Sequence, residues 1–191
     1  MGGNLIVENG VLWAGPAEYW PQGVLAIKDG QVSYAGAPEG FEEQAFAGVP
    51  RLDAGGGLIM PGLINAHCHA AMVLFRGLAD DLPLMAWLNE HMFPAEAKWV
   101  NDGMVELCSL LAAGEMLLSG TTCVGDAYFC AGGAARAFER AGMRALVAHG
   151  VIDFPAPGAP DPAKGLEVAG KFVEEWQGRS TLVKPGLFAH S

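Results

Sequence analysis

Basic residues are scarce in this chain: 11 Lys and Arg stand against 21 Asp and Glu over 191 residues, a formal net charge of −10. That balance argues against a nucleic-acid partner, because gripping phosphates needs clustered Lys and Arg. It argues equally against docking on an anionic membrane, and the acidity reads as solubility. Cysteine is sparse as well, limited to Cys68, Cys108, Cys123 and Cys130. No two are spaced CxxC, so a cysteine-based zinc site is not expected. They read as reduced thiols in a cytoplasmic protein, since a chain of this size folds without disulfides. No apolar run reaches the roughly 18 residues of a membrane span. The opening MGGNLIVENG lacks the basic and apolar regions of a signal peptide. Charged residues make up only 17% and hydrophobic residues 51%, the composition of a packed globular protein.

Glycine is plentiful, and it punctuates the first 56 residues into short strands. NLIVEN is expected to turn at Gly10, VLWAG to follow, and a loop to run through Pro16 and Pro21. VLAIK and QVSYA flank Asp29-Gly30, the signature of a two-residue hairpin. Residues 1–56 are therefore expected to form a small β unit that needs a partner surface.

From residue 57 the rhythm changes. The apolar run LIMPGLINAH leads to helical stretches around Leu84–His91 and Val105–Leu118, the second stopped by Gly120. TTCVGDAYF, RALVAHGVID and TLVKPGLFAHS read as strands, separated by the helices AARAFERAG and LEVAGKFVEEWQG. PAPGAPDPAKG reads as a βα loop. Strand–helix alternation of this kind predicts an α/β fold with a parallel sheet. Its polar residues gather at one edge: His67 and His69, Asp126, His149 and His190 all fall at strand C-terminal ends. In a β/α barrel that edge builds the active site.

His67-Cys68-His69 has the spacing that turns two imidazoles to one face of a strand, where they can grip one divalent metal. The plain alternative is two surface histidines. The flanks favour the metal: LDAGGGLIMPGLINAHCHAAMVLFRGLADDLPLMAWL resembles the amidohydrolase superfamily. PGLIN-x-HxH, LFRGLADDL, Pro94-Ala95-Glu96, GTTCVGD and the closing FAHS are similar to the branch that includes methylthioadenosine/S-adenosylhomocysteine deaminases.

The resemblance implies a (β/α)8 TIM barrel, of which residues 57–191 would supply the first half, about four strands. Residues 1–56 would be the N-terminal share of a composite β-sandwich. It implies one divalent ion, zinc or iron, with His67 and His69 as its first two ligands. The remaining ligands and the acid/base residues would lie beyond Ser191, so this segment alone would be inactive. The implied reaction is hydrolytic deamination of an adenine nucleoside in a homo-oligomer, a dimer or tetramer. Glu96 matches a glutamate holding the ribose hydroxyls, although it could be a solvated helix-end charge. His190 matches a ring contact, and Trp87 an aromatic cover or a core residue. His149 stands where some members place a carboxylate-binding arginine, and the loop DFPAPGAPDPAK offers none. A neutral histidine is a poor carboxylate clamp. Adenosine, methylthioadenosine or 5′-deoxyadenosine are therefore expected over S-adenosylhomocysteine. Guanine or pterin deaminases and triazine hydrolases share the HxH frame, and a partner subunit without activity is the non-enzymatic alternative. Asp126 is expected to cap the following helix or bond a neighbouring strand, Cys68 to pack, and Arg76, Asp80 and Asp81 to order the loop after the first strand.

Overall fold

In the computed structural model, which describes residues 3–190, the N-terminal unit Met1–Pro61 is organised by its hairpin. β2 (Glu18–Lys28) and β3 (Gln31–Gly36) are antiparallel, with Lys28 opposite Gln31. Asp29 and Gly30 both have positive φ, 52° and 76°, as the tight two-residue turn requires.

The expected turn at Gly10 is absent. β1 (Leu5–Gly15) is one continuous strand, irregular in register on both sides of Gly10. The glycine serves close approach instead: a Cβ there would sit 2.7 Å from the Gly57 carbonyl oxygen and 2.8 Å from the Ala54 Cβ. Nor does Pro21 lie in a loop. It sits inside β2, where Gly10 pairs with Gly23 and Leu12 with Trp20, so β2 carries an extra residue there. β3 pairs only from Val24 onward. A proline is tolerated at such a bulge because no ladder bond requires its missing N–H.

Two short strands, β4 (Arg51–Asp53) and β5 (Leu58–Ile59), run parallel to β1. Ile6, Val24 and Ala26 form a small core with Tyr34, Phe41, Phe46 and Val49 packed on it.

The run read as one barrel strand is divided at Pro61, which has no N–H for a ladder. Leu58–Ile59 belongs to the first unit, and the second, Gly62–Ser191, starts with β6 (Leu63–Cys68). The units therefore meet five residues later than the sequence suggests. Beyond β6 lie a 3₁₀ segment Ala70–Phe75, α1 (Leu84–Ala86), a π-helical stretch Trp87–Met92 and α2 (Phe93–Trp99). α3 (Asp102–Leu118) begins three residues before Val105, because the Asn101 side chain caps it, accepting from Met104 N–H at 3.0 Å.

β7 (Thr121–Tyr128), α4 (Ala131–Ala141), β8 (Arg144–Val151), α5 (Gly165–Trp176) and β9 (Val183–Ala189) complete the alternation. The sheet is parallel, in sequence order β6-β7-β8-β9. Its core joins Val124, Ala145, Val147 and Val183 to Val105 of α3, Ala135 and Phe138 of α4, and Phe172 and Trp176 of α5. Gly133 lets α4 approach α3, since a Cβ would come within 2.5 Å of the Asp102 carbonyl oxygen. All four cysteines are free. Among the described residues no helix is long and apolar enough to cross a membrane.

Candidate active site

The C-terminal edge of the parallel sheet gathers the polar side chains. On β6 an extra residue between Asn65 and Cys68 bulges the strand, as Asn65 pairs with Val124 and Cys68 with Asp126. The His67 ring, within the bulge, and the His69 ring, just past it, lie 5.1 Å apart between centroids, edge to face. His67 is exposed and His69 half-buried. The Nδ1 of His69 contacts the carbonyl oxygen of Ala127. A carbonyl can only accept, so Nδ1 carries the proton and Nε2 keeps its lone pair. This is the tautomer a metal-binding imidazole needs, set by a partner behind the ring. Two such imidazoles fit two positions of a divalent-metal site. Among the described residues no third His, Cys, Asp or Glu joins them.

A cavity of about 420 Å³ opens beside His69. Glu96, Trp87, Tyr128 and His190 also line it, amid an apolar wall that includes Met92 and Phe154. A second cavity of about 560 Å³ continues from Glu96 along Phe93, Phe129 and Phe154 to the prolines of the loop after β8.

Glu96 is not a solvated helix-end charge: it is 7% exposed. Tyr128 donates its hydroxyl hydrogen to Glu96 Oε1 at 2.6 Å. Burial raises the Glu96 pKa above the usual carboxylate range, while the Tyr128 hydrogen bond and the nearby His69 oppose the rise. Burial, and next the bonded carboxylate, push the Tyr128 pKa upward, so the phenol stays protonated and can only donate this bond. Trp87 is half-buried with its indole N–H on the Leu78 carbonyl at 3.3 Å. His190 is exposed, its backbone N–H bonded to Val151 at 3.1 Å.

His149 does not join them. It sits at the strand end as read, but its ring is buried and lies 6.4 Å from Phe172 of α5. Alternation places it on the face of Ala145 and Val147, which packs on helices. Its Nδ1 bonds the Gly150 carbonyl at 2.9 Å, and burial lowers its pKa, so it is held neutral.

Asp126 does not cap the helix that follows it, and its backbone partner, Ala70, opens the 3₁₀ segment after β6 rather than lying in a neighbouring strand. Asp126 is buried, and its Oδ1 accepts from the Ala70 N–H at 2.6 Å, tying β7 to the turn after His69. Among the described residues its other oxygen, Oδ2, has no hydrogen-bond partner. Burial lifts its pKa to about 6 against the Ala70 and Cys68 hydrogen bonds. Cys68 packs against the core and is pushed up to about 11, first by burial and then by Asp126. Arg76 pairs with Glu115 at 2.6 Å, securing the loop after β6 to α3.

Sequence reasoning overlooked Tyr128. Its signal was a polar-tipped aromatic at the C-terminal end of a strand, two residues after the GTTCVGD motif.

Residues 58–190 match the pattern of the Amidohydrolase family. The chain belongs to the amidohydrolase family. This amidohydrolase is 44% identical over 188 residues to the 5-methylthioadenosine/S-adenosylhomocysteine deaminase of Syntrophobacter fumaroxidans, covering 98% of this chain and 42% of the relative. The enzyme of the same name from Saccharophagus degradans is 47% identical over 148 residues, 75% of this chain and 33% of the relative. Among solved structures, an adenosine deaminase from Xanthomonas campestris with bound zinc aligns with a TM-score of 0.78 and 32% identity, covering 98% of this chain and 43% of that one. A guanine deaminase from C. acetobutylicum shares the fold, with a TM-score of 0.80 at 20% identity. The chain spans about two-fifths of the length of these relatives, and its four parallel strands correspond to part of a barrel.

Proposed function

We propose that this chain supplies the HxH strand and the nucleoside-facing wall of a hydrolytic deaminase acting on adenine nucleosides. The observation that carries the reading is the buried Glu96, bonded by Tyr128 on the wall of the cavity that holds His69 and His190. A carboxylate there can accept two hydrogen bonds from a vicinal diol. A bare heterocycle offers no diol, which favours a nucleoside over guanine or a triazine. The names of the most similar relatives support the same class.

His67 and His69 would hold a divalent ion, for which zinc is the choice supported by the Xanthomonas structure. When bound, such an ion supplies a water acidified toward neutral pH. His69 is kept in the binding tautomer by the Ala127 carbonyl. His190 would contact the base, and Trp87 would cover the site and exclude water. The catalytic acid and base are not assigned to residues of this chain.

The walls also bear on the 5′ group. Neither cavity has a lysine or arginine among its lining residues, and the second is walled by Phe93, Phe129, Phe154 and prolines. A thioether, hydroxyl or methyl group suits such a wall, whereas an amino-acid carboxylate finds no guanidinium to pair with. The substrates are therefore methylthioadenosine, adenosine or 5′-deoxyadenosine in preference to S-adenosylhomocysteine.

Ammonia release with zinc, by this chain joined to the rest of the barrel, tests this. Methylthioadenosine and adenosine are expected to exceed S-adenosylhomocysteine in kcat/KM by about tenfold or more, with guanine untouched. A preference for S-adenosylhomocysteine would overturn the specificity, and a preference for guanine the class.

A further inference from the structure

We infer that Tyr128 is a positioning residue for ribose recognition, fixing Glu96 so that the carboxylate meets a vicinal diol. The inference rests on the proposed role of Glu96. Three observations carry it. The Tyr128 hydroxyl is bonded to Glu96 Oε1 at 2.6 Å, and that bond joins the end of β7 to α2. Both side chains are buried, at 5% and 7% exposure, so little water competes for the bond. Both also line the cavity that holds His69, whose ring lies 6.1 Å from that of Tyr128.

The chemistry gives Tyr128 a distinct task. Burial drives Glu96 toward its protonated form, and the phenol is a donor that favours the carboxylate. A protonated Glu96 would present one acceptor oxygen and a hydroxyl, which matches a diol poorly. The phenol also engages Oε1, fixing the carboxylate plane. Tyr128 thus acts through Glu96 and has no need to touch the substrate.

Equilibrium binding separates this role from simple packing. Dissociation constants for adenosine and 2′,3′-dideoxyadenosine are measured on the full chain, with metal chelated so that turnover does not intrude. Wild type should prefer adenosine, and Glu96→Gln should abolish most of that preference. Tyr128→Phe should weaken adenosine binding about tenfold, the scale of a hydrogen bond to a charged group, and leave dideoxyadenosine within twofold. If Glu96→Gln loses the preference and Tyr128→Phe keeps it, the positioning role is wrong and the Glu96 role stands. If Tyr128→Phe weakens both ligands equally, its role is structural only. If wild type shows no preference, or Glu96→Gln retains it, both readings fall.

Discussion

Replacing Asp126 with asparagine isolates the cost of burying a charge next to the HxH strand. Asn keeps the shape and an oxygen for the Ala70 N–H, bonded at 2.6 Å in the wild type, but cannot ionise. The folded carboxyl holds its proton up to about pH 6, against an ordinary value of 3.8. Burial is the larger cause, and the hydrogen bonds from Ala70 and Cys68 only partly offset it. The folded state therefore binds this proton more tightly than the unfolded chain does. The wild type suffers no ionisation penalty below about pH 3.8, loses stability as pH rises through the window, and reaches the full penalty above about pH 6. That interval corresponds to about 3 kcal/mol. Urea unfolding of both proteins, followed by circular dichroism from pH 3.5 to 8 with metal chelated, measures the difference between them. Asp126→Asn should gain about 3 kcal/mol relative to wild type between the two ends of the range. A difference constant to within about 0.5 kcal/mol would show that the carboxylate is solvated or better paired than its surroundings indicate.

Two further outcomes follow from the geometry. His69→Ala should weaken zinc binding at least about a hundredfold in a competition titration with a chromophoric chelator, since it removes a proposed ligand together with the Ala127 contact that orients it; unchanged affinity would place the metal elsewhere. Gly10→Ala should cost the N-terminal unit about 1–3 kcal/mol in urea unfolding through overpacking. The new Cβ would meet the Gly57 oxygen at 2.7 Å, whereas Gly3→Ala, with nothing within 4 Å, serves as the neutral control.

The order of elements from β6 to β9 was legible because each helix carries its own periodicity and each strand its own apolar run. The Asp29-Gly30 hairpin was legible for a local reason, the positive φ that only a few residue types adopt readily. What misled in the first unit was non-local. Gly10 looks like a turn until the partner backbone at Gly57 is known, and Pro21 looks like a loop until the bulge opposite β1 and the late start of β3 are seen. In the site, spacing placed His67 and His69 together, and the strand-end position of His149 was read correctly. Its orientation was not, since facing α5 or the cavity depends on one residue of register.

The larger omission was the strand behind the candidate ligands. Reading HxH directs attention to β6, yet the His69 ring is held from β7. Three consecutive residues of β7 make the contacts: the Asp126 side chain accepts from the Ala70 N–H, the Ala127 carbonyl accepts from His69 Nδ1, and the Tyr128 hydroxyl donates to Glu96. One rigid strand, with Val124 buried in the core beneath it, thus orients a candidate metal ligand and a candidate ribose ligand together. Spacing cannot reveal such an arrangement, because the partners lie between 32 and 58 residues apart in the chain. Its consequence is mechanical: a change that shifts the end of β7 should disturb metal binding and ribose preference together, whereas changes confined to Trp87 or His190 should alter ligand binding and leave the metal in place.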